Sequence, residues 1–65
     1  MARKSNSEMR ACLARYYNFE ENHFKGRAGT GERFENCVRA FVNCHGYDED
    51  SARRICAYIY HRKYS

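Results

Sequence analysis

The chain has 65 residues, with 12 basic and 8 acidic side chains, a formal net charge of +4, 43% hydrophobic residues and 15% aromatic residues. This length fits one domain with a small core, and the apolar and aromatic content excludes a disordered chain. No stretch approaches the roughly 18 apolar residues of a membrane span, so we expect no membrane partner. The absence of proline and the presence of only four glycines favour helices over a sheet with many turns.

Positive charge is concentrated at the two ends of the chain. Residues 1–15 hold four basic residues and one acid, residues 51–65 hold four basic residues and no acid, and residues 16–50 hold four basic residues and seven acids. A basic end is suited to phosphate or to an acidic protein surface. The first residues are basic but lead into an amphipathic helix, which is not typical of a signal peptide. We therefore expect synthesis in a reducing cytosol.

The first predicted element is a helix over residues 6–21. Ser5 and Glu8 have the spacing of a capping box at its start, and residues 1–5 are expected to be frayed. Apolar residues then recur at steps of three and four, as on one face of a helix. These residues are Met9, Cys12, Leu13, Tyr16 and Phe19. Residues 22–31 follow as a predicted loop, which Phe24 attaches to the core.

Two further helices are predicted over residues 31–45 and 49–63. Thr30 is a suitable cap for the first of them, Gly46 is suited to end it in a left-handed conformation, and Asp48 is suited to cap the second. The inward faces are predicted to carry Phe34, Cys37, Val38, Phe41, Val42 and His45, and then Ala52, Ile55, Cys56, Ile59 and Tyr60. The sequence thus predicts an all-α fold, a small three-helix bundle that forms a single domain over residues 1–65.

The four cysteines contain no Cys-x-x-Cys pair, which is the strongest zinc signature. On a continuous helix Cys37 and Cys44 are two turns apart, roughly 10.5 Å along the axis. That is too far for the two to share a zinc ion or a disulfide. Because most of the cysteines lie in apolar stripes, we interpret them as core thiols, with no metal site and no disulfide. Two alternatives stay open: a Cys37–Cys56 disulfide, and a mixed metal site of Cys44, His45 and Cys56.

The outward face of the third predicted helix is the best candidate for a contact surface. Arg54, Ala57, Tyr58 and His61 recur there at helical spacing, and Arg62 flanks Tyr58. Tyrosine and arginine are enriched where proteins bind partners, and they also bind nucleic acid through phosphate contacts and base stacking. Arg54, Tyr58, His61 and Arg62 are therefore predicted to bind a partner. The alternative is that this face is simply exposed to solvent.

Basic residues at the ends and in the loop are candidate phosphate or nucleic-acid contacts. They are Arg3, Lys4, Lys25, Arg27 and Lys63. The glycine-rich stretch 25–31 leads into a helix N-terminus, where backbone N–H groups can hold a phosphate, but it lacks the ending of a Walker A loop. A flexible connector is the alternative. No serine or cysteine has the sequence context of a nucleophile with its base, so we predict no catalytic residue, no enzyme activity and no cofactor.

Residues 33–64 combine Phe34, Cys37 and Val38, then Gly46, then Ile55, Cys56 and Ile59 with a basic end. This pattern resembles a short helical segment that recurs in head and morphogenesis proteins of tailed phages. The resemblance covers about half the chain and rests on F-x-x-C-V, a glycine, and a second helix with I-C-x-x-I and a basic end. The matching residues are Phe34, Cys37, Val38, Gly46, Glu49, Ser51, Ala52, Ile55, Cys56 and Ile59, followed by Arg62, Lys63 and Tyr64. It implies a viral origin and a compact helical hairpin, and no catalytic residue. Cys44-His45 and the additional N-terminal helix depart from the pattern and indicate a free-standing small protein.

Together these features predict a small phage-encoded, non-enzymatic protein that acts by binding another protein. It is expected to be a minor virion or assembly component, or an inhibitor of a host factor, in the host cytoplasm or the virion. The alternative is a small basic nucleic-acid-binding protein that uses the charged ends. A zinc-stabilised helical module is a third interpretation.

Overall fold

A computed structural model describes residues 6–64 of the chain. The elements in chain order are helix α1 (Asn6–Leu13), strand β1 (Tyr17–Asn18), strand β2 (His23–Phe24), helix α2 (Glu32–His45) and helix α3 (Glu49–Tyr64). The capping box predicted at Ser5 and the fraying predicted for residues 1–5 lie outside the described residues. None of the helices in the described part is long and apolar enough to cross a membrane. The fold is mainly helical, with three helices as predicted, but it also contains a small hairpin that the all-α prediction lacked.

Helix α1 is shorter than the predicted helix 6–21, because the chain tightens after Leu13. The N–H groups of Arg15 and Tyr16 donate to the carbonyl oxygens of Cys12 and Leu13, three residues back, at 3.2 and 2.9 Å. Such tight bonds are common where a helix ends. The assignment of Tyr16 and Phe19 to the first helix was therefore wrong. Both lie in the turns on either side of β1, and the aromatic residues that favour the strands are Tyr17 and Phe24.

The hairpin is antiparallel, with Tyr17 paired with Phe24 and Asn18 paired with His23. Its aromatic rings pack on one another. The Tyr17 ring contacts those of Phe19 and Phe24 edge-on, with centroid distances of 5.1 and 4.9 Å. Such aromatic pairs stabilise a short two-stranded sheet that would be marginal alone.

Two asparagines shape the turn of this hairpin. The Asn18 side-chain oxygen accepts hydrogen bonds from the N–H groups of Glu20 and Glu21, both at 3.0 Å. Asn22 then adopts a positive φ of 57°. Asparagine suits both positions because its side chain bonds the backbone locally and because it tolerates the left-handed region. These local bonds compete with continuation of the helix.

The loop between β2 and α2 packs closely against the first turn of α2. Gly26 has φ 128°, and a Cβ atom there would lie 2.6 Å from the Glu32 Cβ, so the close approach requires glycine. The Gly26 carbonyl oxygen accepts a hydrogen bond from Arg33 Nε at 3.0 Å. Asn36 Nδ2 donates to the Lys25 carbonyl oxygen at 2.6 Å. The loop is thus attached to α2 by several bonds, unlike a free connector.

The start of α2 differs by one residue from the prediction. The N-cap is Gly31, with φ 84°, and not Thr30. The Thr30 hydroxyl still contributes, because it donates to the Arg27 carbonyl oxygen at 2.7 Å and accepts from the Glu32 N–H at 3.3 Å. The Glu32 N–H, one of the backbone donors left without a partner at the start of a helix, is thus satisfied by the residue before the N-cap.

The junction between α2 and α3 follows the predicted signals. Gly46 ends α2 with φ 77° in the left-handed region. Asp48 caps α3: its two carboxylate oxygens accept hydrogen bonds from the Ser51 hydroxyl at 2.7 Å and the Ser51 N–H at 3.0 Å. These bonds, the hydroxyl first, hold the pKa of Asp48 below its ordinary value of 3.8.

The core is small and lies mainly between α2 and α3. Cys37, Val38, Ala52 and Cys56 are buried at its centre. Partly buried residues of the hairpin and of both helices pack around them: Phe24, Phe34, Phe41, Val42, Ile59 and Tyr60. The predicted role of Phe24 as an anchor is confirmed. Helix α1 contributes no buried residue and lies at the periphery of the core.

Candidate functional site

Two disulfides cross-link the three helices. Cys12 of α1 is bonded to Cys44 of α2, and Cys37 of α2 to Cys56 of α3, with Cα–Cα distances of 5.8 and 6.0 Å. The interpretation of the cysteines as core thiols was therefore wrong, and the Cys37–Cys56 alternative is present in the structure. The reason is geometric: Cys37 and Cys44 lie on the same side of α2 but two turns apart along its axis, so each meets a cysteine of a different neighbouring helix.

The metal alternative is also contradicted. Cys44 and Cys56 belong to different disulfides, so neither sulfur is a thiolate that can ligate zinc together with His45. Within residues 6–64, no group of three or more histidine, cysteine, aspartate or glutamate side chains is arranged to hold a metal ion.

The outer face of α3, defined as Arg54, Ala57, Tyr58, His61 and Arg62, is exposed along its whole length. The Tyr58 side chain is 62% exposed. Arg62 Nη1 donates a hydrogen bond to the Tyr58 hydroxyl at 3.2 Å, and its Cζ lies 5.7 Å from the ring centroid. The guanidinium thus lies over the ring in a cation–π contact. This face carries three basic or titratable side chains and one aromatic ring, with no acid.

Beside this face, Arg53 ties α3 to α2. Its guanidinium lies 3.0 Å from a Glu49 carboxylate oxygen on its own helix and 3.3 Å from a Glu35 carboxylate oxygen on α2. The hydrogen bond that Arg53 donates to Glu49, followed by the charge of Glu35, raises the pKa of Arg53 above its ordinary value. The Arg53 side chain therefore links the two helices, whereas that of its neighbour Arg54 belongs to the outer face.

The predicted phosphate contacts are not gathered into one site. Arg3 and Lys4 lie outside the described residues, as does the side chain of Lys63. Lys25 and Arg27 are exposed on the loop before α2. However, the Arg27 N–H donates to a Glu32 carboxylate oxygen at 3.0 Å. The chain's own carboxylate thus occupies one backbone donor that a phosphate cradle in this loop would need.

A groove that the sequence analysis missed lies between this loop and the inner side of α3. Its volume is about 310 Å³, and it is lined by Arg27, Ala28, Gly29, Gly31, Arg33, Phe34 and Tyr60. A second groove of about 630 Å³ adjoins it at Gly31 and Phe34 and contains the acids Glu32 and Glu35. The first groove combines two arginines with two aromatic rings. No local motif signals it, because Tyr60 reaches the loop only through the packing of α3 on α2.

Two histidines have packing roles in the described residues. The ring nitrogens of His23 lie 2.6 Å from a Glu21 carboxylate oxygen and 2.8 Å from the Phe24 carbonyl oxygen, across the hairpin turn. His45 was predicted on the inward face of α2 but is exposed. Its ring lies beside that of Phe41, with the centroids 5.1 Å apart.

The geometry therefore describes a cross-linked helical scaffold with an exposed basic and aromatic helix face and a separate basic groove. Comparison of the chain with models of protein families, with curated proteins and with solved structures finds no match.

Proposed function

We propose that the protein is a small non-enzymatic binding protein that contacts another protein through the outer face of α3. The observation that carries this proposal is the exposed Tyr58, 62% accessible and covered on one side by Arg62. Tyrosine and arginine dominate the energetics of protein interfaces because they combine large apolar area with polar groups. Tyr58 is not part of the core, and most of its ring surface is in contact with water. Burial of that surface against a partner therefore contributes to binding.

The cross-links support a binding role. The Cys37–Cys56 disulfide and the Arg53 ion pairs hold α3 on α2, so the outer face is fixed before a partner arrives. A fixed surface loses little conformational entropy on association, and preorganisation of this kind improves affinity. The absence of acids from the face favours a partner with an acidic surface, since charge complementarity speeds and orients the encounter.

The disulfides also bear on where the protein acts. Disulfides persist in oxidising surroundings, including virion surfaces, and are rare in a reducing cytosol. Of the two predicted locations, the virion therefore fits the cross-links better than the host cytoplasm. The resemblance of residues 33–64 to tailed-phage segments supports the same setting, and a virion component is the partner that we propose first, ahead of a host factor.

The test is a binding experiment with a matched pair of exposed tyrosines. The oxidised full-length chain is immobilised and exposed to disrupted virions and to host-cell extract, and retained proteins are quantified. Tyr58→Ala is compared with Tyr47→Ala, because Tyr47, at 46%, is the other exposed large hydrophobic residue among the side chains that the structure describes. We expect Tyr58→Ala to weaken retention of a specific protein about tenfold or more and Tyr47→Ala to leave it unchanged.

Equal retention by the wild type and the Tyr58→Ala variant would show that this face is not the contact surface. Loss with both variants would point to general hydrophobic adsorption and would also contradict the proposal. Circular dichroism of each variant confirms that the helices are intact.

A further inference from the structure

We infer that the groove lined by Arg27, Arg33, Phe34 and Tyr60 is a binding site for one nucleotide of a single-stranded nucleic acid. This inference is independent of the protein contact proposed for α3, because the groove lies on the inner side of that helix. Nucleic-acid binding was the sequence-based alternative, but it was assigned to the charged ends of the chain. The structure places the necessary combination of groups in this groove.

The aromatic part of the groove suits a planar base. The rings of Phe34 on α2 and Tyr60 on α3 lie with their centroids 5.9 Å apart and their planes at 59°. Both side chains are partly exposed, so each presents ring surface to the groove as well as to the core. A base that stacks on such a platform gains binding energy whatever its identity, since every base has a π-face.

The charged part of the groove suits a phosphate. Neither Arg27 nor Arg33 forms an ion pair with an acid among residues 6–64. Arg33 is held by the bond from its Nε to the Gly26 carbonyl oxygen at 3.0 Å, so its guanidinium is oriented before a ligand binds. Arginine is the residue best matched to phosphate because its planar group can donate two parallel hydrogen bonds.

The wall between these two parts is backbone without side chains. Gly29 and Gly31 both line the groove, and a Cβ atom at either position would have no heavy atom within 4 Å apart from those of its chain neighbours. The space beside them is thus open, and a sugar–phosphate chain can approach the main chain there. Glycines at such points allow close contact between a ligand and the backbone.

Charge and size favour a nucleotide over an acidic peptide. The groove, at about 310 Å³, is at the lower end of the usual range for small-ligand sites, roughly 300–1,000 Å³. A nucleotide carries its ring and its anion in one unit, whereas a peptide must order two separate side chains. The adjoining groove is lined by the acids Glu32 and Glu35 and by one arginine, Arg39, so it attracts phosphate less than the side with Arg27 and Arg33. The net charge of +4 attracts those phosphates.

The test is fluorescence anisotropy of a short labelled oligothymidine with the oxidised full-length chain at about 50 and about 200 mM salt. We expect binding that weakens steeply with salt. Arg27→Gln changes an exposed side chain and should weaken binding about tenfold and reduce the salt slope by about one. The matched control is Arg15→Gln, which removes the same charge from an exposed arginine outside the groove and outside the outer face of α3 and should bind as the wild type does.

The base contact is tested separately, because Tyr60 also packs against the core. Tyr60→Leu keeps an apolar side chain there and should weaken binding about fivefold or more, with the helical circular dichroism retained. If that variant does not fold, the shift of the Tyr60 ring protons on addition of oligothymidine to the wild type answers the same question. The absence of any such shift would contradict the inference.

Other outcomes also overturn it. If oligothymidine does not bind at about 50 mM salt, nucleic acid is not the ligand of the groove. Equal losses with Arg27→Gln and Arg15→Gln indicate unspecific attraction by net charge, without a site. Binding of an acidic, tyrosine-containing peptide in the groove, with no binding of oligothymidine, assigns the groove to a peptide instead.

Discussion

The two disulfides should make unequal contributions to stability, and the cross-link in the core should be the more important one. The comparison uses two double variants, Cys12→Ala with Cys44→Ala and Cys37→Ala with Cys56→Ala. Each removes one cross-link and leaves the other. The variants are matched in chemistry and differ in where the removed sulfur atoms lie.

Loop entropy alone predicts the opposite order. The Cys12–Cys44 bond closes a separation of 32 residues and the Cys37–Cys56 bond one of 19. The chain-entropy relation then gives about 3.7 and about 3.2 kcal/mol at 25 °C, respectively. On this ground the first bond should contribute slightly more to stability, by a margin smaller than the accuracy of the relation.

Packing reverses that order. Cys37 and Cys56 are both 0% exposed at the centre of the core, so their replacement removes two buried sulfur atoms. At the value for a buried methylene, roughly 0.8 kcal/mol for each, the cost rises to about 5 kcal/mol. In the other pair Cys44 is also buried, at 4% exposed, but Cys12 is only partly buried, so one buried sulfur is lost and the cost is about 4.5 kcal/mol. The larger part of the difference comes from α1, which has no buried residue. Once released, α1 can unfold locally, and the entropy that it regains offsets part of the lost cross-link.

The assay is urea unfolding of both variants, followed by circular dichroism at 222 nm. An isolated helix shorter than ~12–15 residues is marginal in water, and α1 has eight. The Cys12/Cys44 variant should therefore lose about one fifth of the helical signal before the main transition and still unfold cooperatively. In a chain this short a single hydrophobic core rarely supplies more than about 3–5 kcal/mol of stability, so the Cys37/Cys56 variant should be largely unfolded without denaturant. Equal stability of the two variants, or greater stability of the Cys37/Cys56 variant, would refute this reasoning.

Three further predictions concern single positions. In thermal unfolding, Gly26→Ala should destabilise the fold by at least about 1 kcal/mol more than Gly29→Ala. Both glycines have positive φ, but only at Gly26 would the added Cβ atom collide with Glu32. Equal losses would show that the close approach of the loop to Glu32 is unimportant. The pKa of Asp48 is lowered in the folded state, so its contribution is complete above pH 3.8 and is lost as the pH falls through the lowered pKa. The melting temperature of the wild type should accordingly fall more steeply below pH 3.8 than that of Asp48→Asn, and parallel curves would contradict the assignment. Arg53→Ala should lower the melting temperature more than Arg54→Ala, because only Arg53 bridges α2 and α3; a large loss with Arg54→Ala would mean that the outer face is covered in solution.

The two long helices were predictable because their signals are local. The apolar spacing of α2 and α3, the stop at Gly46 and the cap at Asp48 are all contained in short stretches of sequence, and the predicted bounds agree with the structure to within one residue at each end. The hairpin was missed because Tyr16 and Phe19 have helical spacing, whereas its real determinants, Asn18 and Asn22, act through side-chain bonds to the backbone and through a positive φ.

The disulfides were not predictable to the same degree. Sequence spacing correctly excluded a bond between Cys37 and Cys44, since a helix holds them apart. The partner of Cys44, however, depends on where α1 packs, and α1 is attached to the rest of the fold through a hairpin that the spacing did not reveal. For the candidate site, the exposure of the α3 outer face follows from helical periodicity and is confirmed. The groove depends on the juxtaposition of distant residues, which periodicity cannot supply.

Helix α2 has a consequence for how the chain becomes oxidised. Four cysteines allow three pairings, and in a flexible chain the closest pair in sequence, Cys37 and Cys44, meets most often because short loops close at the lowest entropic cost. Two helical turns keep these sulfurs roughly 10 Å apart along the axis. The formed helix therefore prevents the Cys37–Cys44 bond, which is the one that forms fastest in a flexible chain. Each of the two cysteines can then pair only with a cysteine of another helix. Oxidation before α2 forms should favour the Cys37–Cys44 bond, and oxidation afterwards should exclude it.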